Sequence, residues 1–330
     1  MEQRPASRPY PQGVFRNRLL KKDGVGAGHL GTCRRAVLCP SGPHPLRSHA
    51  ALKKIDSLRP DLPSHYRPRH FSALWRQPLA GWREKLREIT EAGRGTGHPA
   101  VYFRADDVGA GGRAFNVLCG IFRQFQVPIA MAVVPAWLSS ARIQQLFAMA
   151  PLGEELWGWH QHGWRHVNWQ RAGKKSEFGE QRPFEKQWRD IWQGQLKMKD
   201  IFGEKALPVF TPPWNRLSAA TVKILQELSF SAVSTTDPLP RNVKPAPSFK
   251  NIRVHLDLHT RKSSDPGEDY ARLLAELAAL IARKEPFGIM VHHQRMTLFA
   301  FEFLEELLRI LQNDLNSRFL AFEQLLQEEG

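Results

Sequence analysis

The chain has 330 residues, 42% of them hydrophobic, and a formal net charge of +15. That is enough apolar material for one large domain, or for one domain with an appendage. The charge is uneven: residues 1–70 hold fourteen Lys/Arg against four Asp/Glu, which leaves only +5 for the body. A nearly balanced body argues against a nucleic-acid-binding domain, which would carry its positive face on folded structure. No apolar run reaches the eighteen residues of a membrane-spanning helix, and no continuous apolar core of a secretory signal appears. The expected location is cytoplasmic. Cys33, Cys39 and Cys119 make an odd total, and the gap between the first two fits no zinc knuckle, so a reducing compartment is expected.

Residues 1–70 are rich in proline (Pro5, Pro9, Pro11, Pro40, Pro43, Pro45, Pro60, Pro63 and Pro68) and show no apolar period. Such a segment has too little apolar surface to offset ordering entropy and is expected to be a disordered tail. The folded domain is expected to span residues 71–330.

From Leu79 the pattern changes. Leu79, Trp82, Leu86 and Ile89 recur at helical spacing, ended by the glycines of residues 93–97. The apolar run Ala100–Ala105 reads as a strand ending in the pair Asp106-Asp107. A glycine loop follows (Gly109, Gly111, Gly112), then a helix over Arg113–Gln126. The loop lacks both phosphate-loop signatures, so its glycines read as room for the chain to turn beside a site. Thereafter strand and helix alternate: a strand at Pro128–Val134, a helix at Ser139–Met149, and a strand at Leu156–His162. A polar excursion at Arg171–Arg182 precedes a helix over Phe184–Ile201, a strand at Leu207–Thr211 and a helix at Leu217–Leu228. Strands at Phe230–Thr235 and Ile252–Leu256, a helix at Tyr270–Arg283 and a strand at Phe287–Val291 complete the series. Helices over Leu298–Leu311 and Ser317–Glu328 close the chain. Seven strands with intervening helices predict an α/β architecture with a parallel sheet; seven βα units close as a barrel, but periodicity alone does not separate a barrel from an open sheet.

The chemistry clusters at strand ends. His160 and His162 share a face of an extended strand, Gly163 permits a sharp bend, and His166 follows one helical turn after His162. Two imidazoles that converge this way are half of a catalytic metal site, which needs three protein ligands and an open position. The carboxylate pair Asp106-Asp107 can supply the third. Asn215, Asp257 and His292 also follow strands, and in barrels the catalytic residues gather at that rim.

Together these elements resemble the polysaccharide deacetylase family, the NodB-like metal-dependent carbohydrate esterases, over roughly residues 98–312. The segment Arg104-Ala105-Asp106-Asp107 resembles the family's first motif and His162-Gly163-Trp164-Arg165-His166 its second. Phe210-Thr211-Pro212-Pro213-Trp214-Asn215 resembles a variant of the third, and Ile289-Met290-Val291-His292 the last. The resemblance implies a distorted (β/α)7 barrel of the polysaccharide deacetylase type, with a divalent metal (zinc, with cobalt or nickel as alternatives) held by Asp107, His162 and His166. Asp106 is then the base and His292 the acid, acting on an acylated carbohydrate.

Two departures mark a divergent member. Phe210 stands where the third motif carries an arginine that orients the base aspartate; Arg104, Arg182 and Arg216 are the candidates to replace it. The aspartate–tryptophan motif has no clear copy, leaving Asp237 and Asp257. Arg104, Trp164, Pro213, Trp214 and Asn215 are expected to touch substrate, and His160, Arg182, Asp257 and His293 to support the site from behind. Trp159, Trp164 and Trp214 are either stacking walls for a sugar ring or core. His255 and His259 lack ligand spacing. The expected activity is removal of an acyl group, acetyl above all, from a carbohydrate amide or ester. The alternatives are a metal-independent cyclic-amide hydrolase on the same barrel, and a carbohydrate-binding barrel without catalysis.

Overall fold

Alternation decides what faces inward. In the computed structural model, which describes residues 68–94, 97–283 and 285–327, the strands are β1 (Ala100–Val108), β2 (Ile129–Val133), β3 (Trp157–His162), β4 (Ala206–Thr211), β5 (Ala232–Val233), β6 (Lys250–Asn251), β7 (Val254–Asp257), β8 (Phe287–Val291) and β9 (Arg318–Phe319). They form one sheet, parallel throughout, in the order β6-β5-β4-β3-β2-β1-β8-β7, with β9 beside the start of β1. Strands β6 and β7 stand at opposite ends of that order yet are one extended segment, interrupted only at Ile252-Arg253. Ile252 N donates to Val233 O and Val254 N to Thr235 O, each at 2.9 Å. This segment therefore leaves β5 and joins β8, and seven strand positions close into the expected (β/α)7 barrel.

On β1 the inward residues are Ala100, Tyr102, Arg104 and Asp106, while Val101, Phe103 and Ala105 face the helices. The helices are α1 (Trp82–Arg87), α2 (Arg113–Phe125), α3 (Ser140–Met149), α4 (Phe184–Phe202), α5 (Ala219–Glu227), α6 (Pro266–Ile281), α7 (Leu298–Arg309) and α8 (Phe322–Gln327). The main apolar core lies between the outer sheet face and α2, α6 and α7, and includes Phe103, Phe122, Ile289, Leu273 and Phe303. Each such fully buried side chain stabilises the fold by about 1.5–3 kcal/mol. The lower barrel interior is filled by Tyr102, Ala130, Val209, Ala232 and Val254 above Phe322 of α8. Ser139 caps α3, Ser218 and Thr221 form a capping box for α5, and Thr297 caps α7.

Three elements differ from expectation. The C-terminal segment is not one helix over Ser317–Glu328. Arg318 N donates to Pro99 O and Leu320 N to Val101 O, each at 2.9 Å, so the chain first extends as β9 and only then coils as α8. The start of β1, ahead of its pairing with β2 at Arg104, supplies these partners, and no local pattern announces them. The strand at Phe230–Thr235 shortens to Ala232-Val233. The first helix is α1 continued by a tighter 3-10 stretch at Glu88–Gly93.

Residues 1–67 lie outside the described residues, and with them the expectation for the N-terminal segment and for Cys33 and Cys39. Leu74 and Trp75 are fully buried, and Ser72 Oγ donates to His259 O at 2.7 Å, which ties this stretch to the barrel. Cys119 is buried as a free thiol. Among the described residues no helix is long and apolar enough to cross a membrane.

Candidate active site

Asp106 and Asp107 are neighbours with opposite surroundings. Asp106 continues the inward alternation of β1 and is 2% exposed. Asp107 lies within a β-bulge between Ala105 and Val108, at φ 60°, which swings its carboxylate toward β3. Gln294 Nε2 donates to Asp107 O at 2.7 Å and holds that turn. Burial by itself would raise the Asp107 carboxyl, but His162, then His166 and His292, hold it well below the usual carboxylate range.

His162 ends β3 beside Thr211 of β4. Its Nδ1 lies 3.0 Å from Thr211 O, so this nitrogen carries the proton and Nε2 presents its lone pair to the site. Gly163 then turns at φ 58°. A Cβ there would sit 2.4 Å from Glu177 Oε2 and 2.6 Å from Pro213 Cγ, so only glycine fits. The loop that follows is shaped by Glu177, whose carboxylate accepts from the backbone N–H groups of Trp164, Arg165 and His166 at 3.3, 2.8 and 3.0 Å. Burial raises the Glu177 carboxyl in spite of those three donors. His166, at φ 59°, is wedged between Trp214 and Trp137, with ring centroids 4.4 and 5.8 Å away.

The result is a convergent donor set. His162 Nε2 and His166 Nε2 approach Asp107 Oδ1 at 3.3 and 3.1 Å, and the three ligand atoms lie within 4.8 Å of one another. Asp107 Oδ1 is buried without a hydrogen-bond partner. One orphaned carboxylate oxygen facing two imidazole nitrogens fits a divalent cation with positions left for water. Strain concentrates here: Asp107, His166, Trp214 and Asn215 are four of the seven described non-glycine residues with left-handed φ.

Beneath this rim lies a buried ionic knot. Arg104 Nε and Nη2 clamp Asp106 at 2.7 and 2.9 Å. Nη1 donates to Ser234 Oγ at 2.8 Å, and Nη2 also to Asn215 Oδ1 at 2.7 Å. Burial would raise the Asp106 carboxyl, but the Arg104 guanidinium, then His162 and His292, keep it below its ordinary value and ionised. On the neighbouring strand the register sets Ala105 beside Val291, so Asp106 and His292 leave β1 and β8 at the same height. Asp257 Oδ1 lies 3.9 Å from His292 Nδ1 and is itself anchored by the N–H groups of His259 and Thr260 at 3.0 Å.

No protein-family model and no curated protein matches the sequence. Solved structures do match in three dimensions. A candidate polysaccharide deacetylase from Mycobacterium smegmatis superposes with a TM-score of 0.51 over 70% of this chain and 90% of its own, at 16% identity. The fold is that of the polysaccharide deacetylases. Also matched are the Xyl-CE4 domain of a multidomain xylanase from the hindgut metagenome of Trinervitermes trinervoides and a family 4 acetyl xylan esterase from Clostridium thermocellum in complex with a cobalt ion. Each is 12% identical; their TM-scores are 0.46 and 0.44, covering 70% and 68% of this chain and 90% and 89% of theirs.

Within this deacetylase fold the three candidate arginines separate cleanly. Arg104 clamps Asp106 from two residues upstream on the same strand face. Arg182 instead pairs with Asp190 and donates to Glu177 O at 3.3 Å, behind the His166 loop. Arg216 donates to Lys175 O at 2.9 Å. Phe210, in the vacated position, packs edge-on against Phe178 and Phe230. Asp257, not Asp237, faces His292.

The residues expected to touch substrate lie in different surroundings. Arg104 is fully buried, with its guanidinium bonded to Asp106, Ser234 and Asn215. Pro213 is buried against Gly163 and shapes the turn. Trp164 is half-buried on the Phe178–Phe210 core, and Trp159 stacks on Phe202 at 4.8 Å inside the outer core. Trp214 stays half-buried at the rim against His166, while Asn215 is spent on Arg104. His160 Nε2 bonds Thr211 Oγ1 at 2.9 Å and its ring stacks on Phe322, away from the ligands. Burial pushes His160 down to about 3, so it stays neutral. His293 is buried edge-on against Phe115. His255 Nδ1 accepts from Gly288 N at 3.0 Å, a purely structural bond. The sequence reading missed Glu177, Ser234 and Gln294. Glu177 is the first of two acids in a Lys/Arg-rich excursion and is followed by an apolar Phe178, and that contrast was the available signal.

Proposed function

We propose that the protein is a metal-dependent hydrolase that removes an acyl group, acetyl in the first instance, from a carbohydrate amide or ester, as a divergent polysaccharide deacetylase. The observation that carries this reading is the convergence of Asp107, His162 and His166 on one point, flanked by Asp106 and His292 from adjoining strands. A divalent ion such as zinc, held by those three residues, supplies an acidified water and a polarised acyl carbonyl. Asp106, fixed by Arg104 with lone pairs still free, accepts the proton of the attacking water. His292, backed by Asp257, gives a proton to the departing nitrogen or oxygen. Trp214 offers an apolar wall beside His166 for a sugar ring.

The test is acetate release from a panel of acetylated glycans, with metal content measured on the same sample. Asp106→Asn is expected to retain metal and to lose about a hundred- to ten-thousandfold in rate. Asp107→Asn is expected to lose metal first. A chelator-insensitive activity would favour the cyclic-amide alternative, and glycan binding with no hydrolysis would favour the non-catalytic one.

A further inference from the structure

Beside Asp107 opens a cavity of about 520 Å³, lined by residues 68–70, 110–115 and 293–295. That volume suits a ligand of small-molecule size. Its charge is one-sided. Arg69, Arg113 and Arg295 all line it, and none of the three guanidiniums has a hydrogen bond or ion pair among the described residues. The single acid in the lining is Asp107, already directed at the two histidines.

Two further features point the same way. Helix α2 begins at this wall, thirteen residues long, with Gly112 at its N-cap, no side-chain cap and no acid in its first turn. Its first N–H groups and its dipole are thus left to whatever occupies the cavity. No atom lies within 4 Å of the position a Cβ of Gly112 would take, so the backbone there is open to a ligand. Independently, His293 is 3% exposed, lines the same cavity, and has a buried Nδ1 without a partner. A buried imidazole nitrogen left unpaired costs stability unless something bonds it.

We infer that this cavity is the anion subsite of the substrate: the acylated molecule carries a phosphate or carboxylate that rests on the start of α2 among Arg69, Arg113 and Arg295, with its acyl group at Asp107, His162 and His166. The inference rests on the hydrolase reading above and adds the charge class of the substrate to it. A neutral sugar would leave three guanidiniums, an uncapped helix start and His293 all unmatched at the mouth of the site.

The zinc-loaded full chain is titrated calorimetrically with N-acetylglucosamine, its 6-phosphate and 2-acetamido-2-deoxyglucuronate, and acetate release is followed for each. At least one charged probe is expected to bind at least tenfold more tightly than the neutral one, and to lose that advantage as salt rises. The phosphate and uronate arms tell which oxyanion is preferred. The double substitution Arg113→Gln/Arg295→Gln, of one exposed and one half-buried residue, is expected to erase most of the advantage with metal content unchanged. Equal affinity for all three probes, or an advantage that survives the double substitution, overturns the inference. Charged probes that bind through these arginines while none is hydrolysed support the anion subsite and overturn the hydrolase reading. Hydrolysis of neutral and charged probes at equal efficiency does the reverse.

Discussion

The barrel interior under the site and the rim above it are built on opposite physical terms, although Asp106 and Asp107 join them through one peptide bond. In the interior, Arg104, Asp106, Ser234 and Asn215 satisfy one another through side-chain bonds of 2.7–2.9 Å. At the rim, Asp107 and the two histidines are aimed by the backbone: left-handed turns at Asp107, Gly163 and His166, braced by Glu177 and Gln294. The first arrangement resists change because a buried charge cannot lose its partner. The second stores strain and is held by carbonyl and N–H contacts from elsewhere. The two constructions therefore tolerate substitution differently.

The comparison breaks most visibly at Arg104. Arg104→Met leaves the Asp106 carboxylate buried and unpaired, which is expected to cost about 3–5 kcal/mol in chemical denaturation. Arg104→Met/Asp106→Leu, with both charges gone, is expected to regain most of that loss. If the single and double variants are equally unstable, the pair is not the element that fixes the interior.

The rim is probed more gently at Glu177. Glu177→Gln keeps the shape but leaves one oxygen to serve three N–H groups, and loses about 1–3 kcal/mol. Its larger signature is functional: the His166 loop relaxes and metal affinity falls by about ten- to a hundredfold, read by competition with a chelator. Unchanged affinity would show that the backbone turns hold without their brace.

A smaller effect comes from His259, buried on Trp75 with neither ring nitrogen partnered. Burial pushes it down to about 3, with Asp257 pulling it up and His292 and Arg295 pushing it down. The unfolded residue titrates near 6.5, so between those values the unfolded chain binds more protons and stability rises with pH. Full stability is present above about pH 6.5 and drains as the pH falls toward 3, by at most about 1.4 kcal/mol per pH unit from this residue. His259→Phe should flatten that acid limb, measured as melting temperature against pH. His293 and His160, depressed to about 4 and about 3, keep their own shares.

By itself the sequence determined the alternation of parallel strands and covering helices, and which polar side chains stand at the strand ends. Apolar runs alternating with amphipathic stretches dictate parallel strands and covering helices, because each face must be buried. The spacing of His162 and His166 around Gly163, and a carboxylate pair closing β1, are local facts that any parallel barrel would turn toward one end. Period two even places Arg104 and Asp106 on the same face, so their pairing was within reach. Tertiary structure alone decided the rest. Which of three arginines clamps Asp106 depends on which lies inside the barrel, and only closure defines an inside. Asp257 became the partner of His292 because β7 and β8 are adjacent, 35 positions apart in the chain. Glu177 reached the histidine loop across an irregular excursion with no period to follow. The start of β1, ahead of its pairing with β2, turned Arg318-Phe319 from helix to strand, since N–H and C=O groups otherwise left unpaired there outweigh a local helical preference.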